Sequence, residues 1–469
     1  MKKTQQQSSN FNTSGLIQSL AITSDPQYPW SDCTDDGGRP FQNCSIRNVS
    51  PCILPGSSED RATRRRRSEA LIREQYENIN SYTQHSDRIN RPAAVIINGD
   101  ITEFGHNDLW HPERQWDTMN RLFQVLRRPY YYGLGNHDIE NNFGHCHNNN
   151  CFQASITNLI QHLVNPVSPR IPHDQFDFRG VPAGIVQGHG SFAYVVNFGN
   201  ICSIQLNNDP TTEARTSFLH VHENLPWLRN RLEIARNEGR IIIVNIHQTR
   251  GLNANYINLF QEFGVVAIFS GHFHTSLGRV GSIGNIPHFR SGSASQRTYL
   301  TLEQYPNELR IFAVRCNDWQ GHRQHIATIP IKNIEFKIVT MLNNTSLVDM
   351  RLWSSNIVHL WDDVNQRNAQ WAFVYDQQRD AYLITNLFNR SLVLSMDAPR
   401  MNHVFAYPVN GDASQFWILE PNQGGYIIRS LRNRNLVLTV EGSNTRPETR
   451  ILVSPFNNGT NQRFRLQSV

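Results

Sequence analysis

Through the first two thirds of the chain, short apolar runs closed by polar or glycine-containing turns alternate with segments of helical period. Ser19–Thr23, Ala93–Asn98, Tyr130–Leu134, Ile241–Asn245 and Val265–Phe269 read as strands, and the unbroken runs among them as parallel strands buried on both faces. Helices are predicted over Arg61–Thr83, where Ile72, Tyr76 and Ile79 share one face, and over Trp116–Val125, Leu225–Glu238 and Asn255–Phe263. Phe192–Phe198 and Ile201–Leu206 read as paired strands. Strand–helix alternation of this kind predicts an α/β layered unit. A polar insert over 31–60, rich in Gly, Pro, Asn and Asp, leaves the end of the first strand and is expected to cap a cleft there.

The pattern changes near Ile329-Pro330. From Phe336 to Val469 only short strand-like runs remain, and they repeat. The segment from Tyr382 resembles the segment from Tyr426, 44 positions on, and Phe336 opens an earlier copy 46 positions before Tyr382. Each copy closes on an aromatic beside or near a glutamine: Gln370-Trp371, Gln415 with Trp417, Gln462 with Phe464. Three copies sharing one core predict a closed three-fold all-β unit. The boundaries expected are residues 1–330 and 336–469, joined near Pro330 with no shared core.

Composition narrows the classes. With 39% hydrophobic and 18% charged residues over 469 positions the chain is no disordered polymer, and it can bury a large core. No run of 18 apolar residues occurs, which excludes a transmembrane helix. A net charge of +5 is too small to indicate nucleic acid and suits anionic substrates. Met1-Lys2-Lys3 is followed by polar residues to Ser14, without the apolar stretch of a secretory signal. The expectation is therefore a cytoplasmic product, a mature form, or export by a signal-independent route. Seven cysteines fall as Cys33, Cys44 and Cys52 in one loop, Cys146 and Cys151 in another, and Cys202 and Cys316 alone. Local disulfides are possible within those loops, with no unique pairing, and the odd count leaves at least one thiol unpaired.

The chemistry sits at strand ends, where an α/β sheet gathers a site. Asp25-Pro26-Gln27 ends the first strand, Asn98-Gly99-Asp100 the second and Gly135-Asn136-His137-Asp138 the third; His247 and Gly271-His272-Phe273-His274 follow two more. Carboxylate, amide and imidazole without thiolate suit Mn, Fe, Zn or Ni. The ordered set D-x-Q, GD, GNHD, H and GHxH resembles the calcineurin-like metallophosphoesterases over roughly Leu16 to Arg315. That resemblance implies a four-layer α/β sandwich and two divalent metals. Asp25, Gln27 and His274 would hold the first, Asn136, His247 and His272 the second, and Asp100 both. It also implies hydrolysis of a phosphomonoester or phosphodiester by a hydroxide bridging the metals. His137 would act as proton donor to the leaving oxygen, and Asp138 would hold its ring. Gln27 stands where many members have His, and an amide is the weaker ligand.

Plainer readings attach to other residues. Arg64-Arg65-Arg66-Arg67 reads as the solvated start of a helix, although it could face phosphate. His145, His147, His189 and His288 read as surface residues near the cleft. Asn207, Asn208 and Asp209 end another strand and could approach substrate. The region Phe336–Val469 resembles a ricin-type β-trefoil, which implies a sugar site with an acid, an aromatic platform and an amide. Asp349, Trp361 and Asn368, assisted by His359, fit in the first repeat; Ser395 and Tyr407 in the second, and Thr439 and Ser454 in the third, lack the acid. One site at most is expected, directing the enzyme to cell-surface glycans and to action outside its own cell. The rival readings are a glycan-binding toxin or adhesin subunit with a vestigial phosphoesterase half, a nucleotide or sphingomyelin-like phosphodiesterase, and a trefoil that serves only as a spacer or protein-docking surface.

Overall fold

The computed structural model describes residues 16–35, 44, 59–86, 88–89, 91–105, 114–139, 151–165, 169–181, 187–237, 240–305, 308–331, 334–352, 356–376, 378–396, 402–423 and 425–468. The apolar runs form two six-stranded mixed sheets. In the first, Gln18–Thr23 and Ala93–Asn98 lie side by side at the centre, with Tyr130–Gly133 beyond them. Ser19 lies opposite Ala93 in parallel register, and Ile22 lies opposite Leu300 in antiparallel register. Tyr299–Tyr305, Glu308–Val314 and Arg323–Pro330 extend this sheet on the other side. The second sheet runs Leu277–Ile283, Ile286–Ser291, Val265–Ser270, Ile241–Ile246, Ile201–Gln205, Tyr194–Phe198.

Alternate residues of each strand point to opposite faces, and here both faces are apolar. Leu20, Ile22 and Ile96 of the first sheet and Ile243, Ala267 and Phe269 of the second belong to one buried cluster. On the first sheet's other face Ala21, Val95 and Ile97 meet Ile72, Tyr76 and Ile79 of the helix Arg61–Thr83, with Trp116 and Met119 of Gln115–Phe123 and Ile156 and Leu159 of Cys151–Val164. On the second sheet's other face Ile242, Val244 and Ile268 meet Leu228 and Leu232 of Leu225–Asn237 and Tyr256 and Leu259 of Ala254–Phe263. Glu303, fully buried in its strand, accepts hydrogen bonds from Arg88 at 2.8 Å, Arg323 at 2.5 Å and Tyr82 at 3.0 Å, and so ties the first helix to the later strands.

The repeated tail closes as its pattern predicts. Phe336 lies opposite Trp371, Tyr382 opposite Trp417, and Tyr426 opposite Phe464. Trp371 and Trp417 are fully buried, and each donates its indole N–H at 2.8 Å to a carbonyl 23 residues back, on Val348 and Leu394. Gln415 and Gln462 donate to the Pro408 and Pro455 carbonyls, whereas Gln370, one residue out of pattern, turns to Asn365. The inner cluster continues through Ile329 and Phe336 into the trefoil interior. The expectation of no shared core is thus corrected: an apolar continuity joins the two units.

The cysteine reading is corrected at Cys44 and met at Cys202. Cys44 pairs with Cys316, 272 positions away, rather than with a neighbour in its loop. Cys33 is also disulfide-bonded, and Cys202 is free and buried. Cys52, Cys146, His145, His147 and most of the 31–60 insert lie outside the described residues. Among the described residues no helix is long and apolar enough to cross a membrane.

Candidate metal centre and sugar site

The strand ends bring the candidate ligands to one place between the sheets. Asp25, Asp100 and His274 offer ligand atoms within 4.8 Å of one another, and so do Asp100, His247 and His272. Asp100 belongs to both groups. Asp25, Gln27, Asp100 and His272 hold left-handed backbone at φ 51, 41, 50 and 69. Such conformations are costly for non-glycine residues and gather where function over-determines the chain. Gly135 leaves room for this packing, since a Cβ there would stand 2.1 Å from the Asp100 Oδ1. At Gly99, with φ +82, a Cβ would stand 2.8 Å from the His247 ring.

Each polar group is aimed by another. His247 Nδ1 faces the Asn98 carbonyl at 2.9 Å, which turns Nε2 toward Asp100 at 3.1 Å and Asn136 Oδ1 at 2.9 Å. Gln248 donates to the same Asn136 oxygen at 2.9 Å and to Asn208 at 3.0 Å. The backbone N–H of His272 donates to the Asp25 carboxylate at 3.0 Å, and that of His137 to Asp100 at 2.9 Å. Burial opposes a charge on His247, yet the Asp100 and Asp25 carboxylates outweigh it and push its imidazole up to about 9. Burial likewise opposes charge on Asp100, but His247 and His137 hold its carboxyl well below the usual range. Gln27 is buried, and both its amide atoms lack a hydrogen-bond partner. A buried amide left unsatisfied in a ring of carboxylates and imidazoles fits a cation ligand.

Asp138 departs from expectation. The His137 Nδ1 faces the Glu103 carbonyl at 3.1 Å, so that carbonyl, not Asp138, orients the ring. Asp138 instead accepts from the backbone of Ile101, Thr102 and Gly135 and from the Thr102 hydroxyl, clamping two strand ends together. Burial, reinforced by Asp100, pushes its carboxyl up to about 6. The arginine run also departs from a solvated face. Arg64 donates to Glu103 and to the Pro29 carbonyl, and buried Arg67 pairs with Asp32. Asn207 binds the Leu134 N–H and the Phe192 carbonyl, a structural task, and Asp209 pairs with Arg250. His288 is buried against Ser270 rather than at the surface, while His189 lies exposed on a strand.

In the trefoil the first repeat gathers its expected group. Asp349 accepts from His359 at 3.0 Å and from Asn368 at 2.8 Å, and Trp361 stacks on His359 at 5.5 Å and 24°. The buried Asn368 Oδ1 and His359 Nδ1 have no partner. A carboxylate offers about four acceptor positions, so two remain. At the equivalent places Ser395 and Thr439 satisfy themselves on the Val393 and Val437 carbonyls.

The family model for calcineurin-like phosphoesterase matches residues 20–276, more than half of the chain. The chain belongs to that family. A second model, ricin-type beta-trefoil lectin domain-like, matches residues 367–454. The chain is 33% identical over 92 residues to the main hemagglutinin components type C and type D of Clostridium botulinum C phage and D phage. The match covers 20% of the chain, and the chain spans about a third (32%) of the length of these curated relatives. Among solved structures a mosquitocidal holotoxin is 21% identical, at TM-score 0.28, over 39% of this chain and 25% of the other. A Macrolepiota procera ricin B-like lectin in complex with lactose is 18% identical, at TM-score 0.25, over 29% of this chain and 95% of the other.

Sequence reading missed two residues of this calcineurin-like phosphoesterase. Asp35, inside the polar insert, accepts from His274 Nδ1 and from Ser295, Gln296 and Trp30. Burial opposes charge on His274, but Asp25 and Asp35 hold its pKa well above the ordinary imidazole value. Trp30 sets its indole edge-on 6.0 Å from His137 and 5.8 Å from His274, with Arg64 over the ring at 5.6 Å. Nothing local marks either residue, because the contact from Asp35 to His274 spans 239 positions.

Proposed function

We propose that this chain hydrolyses a phosphomonoester or phosphodiester at two divalent transition-metal ions, and that its trefoil directs it to glycans on another cell's surface. The observation that carries the reading is Asp100, the one carboxylate common to both ligand groups. Asp25, Gln27 and His274 would hold one ion, Asn136, His247 and His272 the other, with Asp100 between them. The three apolar clusters fit a four-layer sandwich of helices, sheet, sheet and helices around that centre. Bound there, the ions supply an activated water and offset the charge of the phosphoryl group. The protein aims the ligands through Asn98, Gln248 and Asp35, and it holds His137 by Nδ1 so that Nε2 is the nitrogen to protonate the leaving oxygen.

A substrate panel with Mn, Fe, Zn, Ni and Mg, read beside metal content, tests the reading. Wild type should hold two equivalents at this centre and lose turnover on chelation. Asp100→Asn should lose metal and at least about 10³-fold in rate, since metal activation supplies several kcal/mol. Full turnover in a metal-replete Asp100→Asn protein overturns the assignment. The hemagglutinin names of the partial relatives favour a second reading, a glycan-binding subunit with an inactive phosphoesterase half. Metal binding without turnover on any phosphoester would select it.

A further inference from the structure

Outside the centre just described, three imidazoles converge on one face of a small four-stranded sheet. Its strands run in the order Arg179–Val181, Gln187–Gly190, Leu219–Val221, Ala214–Arg215. His189 lies opposite His220 in parallel register, so both side chains leave the same face. His222, two residues on, returns to that face.

The nitrogens are already placed in part. His222 Nε2 stands 3.4 Å from His189 Nδ1. Two nitrogens bound at 2.0–2.1 Å to one tetrahedral ion stand about 3.4 Å apart. His222 Nδ1 faces the Glu223 carbonyl at 2.9 Å. Only an N–H can answer a carbonyl, so in the neutral ring Nε2 carries the lone pair. A carbonyl behind the far nitrogen is also how proteins aim ligating histidines. The His220 ring lies 4.9 Å from that of His222; its Nε2 is buried without a hydrogen-bond partner and stands 3.6 Å from the Glu213 carboxylate.

We propose that His189, His220 and His222 form a second metal site, for a single transition-metal ion, with Glu213 beside the fourth position. His189 and His222 are set at ligand spacing, and His220 joins by rotation of its ring. The ion is one that bonds strongly to imidazole, namely zinc, nickel or copper. Arg179 and Arg215, exposed, stand opposite His189 and His220 in the same cross-strand row and repel any cation, so the ion is held by its bonds to imidazole and not by surrounding charge. The site shares no residue with the Asp25–Asp100 centre and does not depend on that centre's reading.

The test compares full-length wild type with the His189→Ala/His222→Ala double variant. Both are equilibrated with zinc near neutral pH and freed of unbound metal, and zinc per chain is measured by mass spectrometry. The variant should hold one equivalent fewer while hydrolysis of nitrophenyl phosphate is unchanged. Equal zinc content in the two proteins overturns the site. Two single variants keep the test open if the double variant misfolds. His220→Gln should weaken zinc binding by at least about tenfold, the scale at which a poorer ligand environment acts. Arg215→Ala should strengthen it by removing a positive neighbour. No change in zinc affinity in either variant sinks the proposal.

Discussion

At the residue scale, the centre is a set of groups whose freedom has been removed by neighbours. His137 makes this separable from metal binding. His137→Ala should retain both metals and lose about 10²–10⁴-fold in rate on alkyl phosphoesters, the usual worth of a general acid. The loss should shrink for a nitrophenolate leaving group, which needs little protonation; steady-state rates on the two substrates check it, and equal losses would give His137 another role. Asp35 acts one layer further out. Asp35→Asn keeps shape but removes the charge that holds His274. It should weaken one of the two metal equivalents by about 10–100-fold and leave the other, measured by metal titration against a chelator. Identical weakening of both would place Asp35 elsewhere in the mechanism.

At the element scale, one half-buried and one buried histidine tie stability to pH. His162, on the helix Cys151–Val164, lies against Tyr130 and Tyr132, and burial, aided by Arg170, pushes its imidazole down to about 3. His288, on the strand Ile286–Ser291, is pushed down to about 4 by burial and Arg290. Both folded values lie below the unfolded one, so between about pH 4 and 6.5 the unfolded chain binds more protons and stability falls with falling pH. At pH 5 each group should cost about 2 kcal/mol. Denaturant midpoints across that range should show it, and His162→Phe should flatten part of the slope; an unchanged slope would discount the ring. The central strands were legible to within a residue or two, because a continuous apolar run is the direct trace of burial on both faces. The helix Cys151–Val164 was legible too, through Phe152, Ile156, Leu159 and Leu163 at helical spacing, but went unread. The hairpin of Leu277–Ile283 and Ile286–Ser291 was harder, since its outer strand is largely exposed and carries no apolar run. In the site, the candidate ligands at strand ends announced themselves by order along the chain, whereas Asp35, Trp30 and the Glu103 carbonyl depend on contacts that no local pattern encodes.

At the scale of the whole molecule, two units meet through a continuous apolar cluster, yet their candidate sites share no side chain. Asp349→Ala or Trp361→Ala should abolish retention on a glycan array while hydrolysis of a small soluble phosphoester stays within about twofold, as expected for distant independent sites. Ser395→Ala and Thr439→Ala, at equivalent places, should leave retention unchanged. A drop in hydrolysis alongside retention would show that the junction couples the units.

The three-fold trefoil has Asp349 in its first repeat and Ser395 and Thr439 at the equivalent places, which on the proposed reading bears on what a single molecule could do to a cell. On the proposed reading, one sugar site per chain would let a single molecule coat a glycan surface without bridging two, so the chain alone should not clump erythrocytes. It would also gain no avidity from repeated sites, and its residence would follow the strength of one contact. On that reading the chain would sample many positions on a surface in turn rather than fasten at one spot.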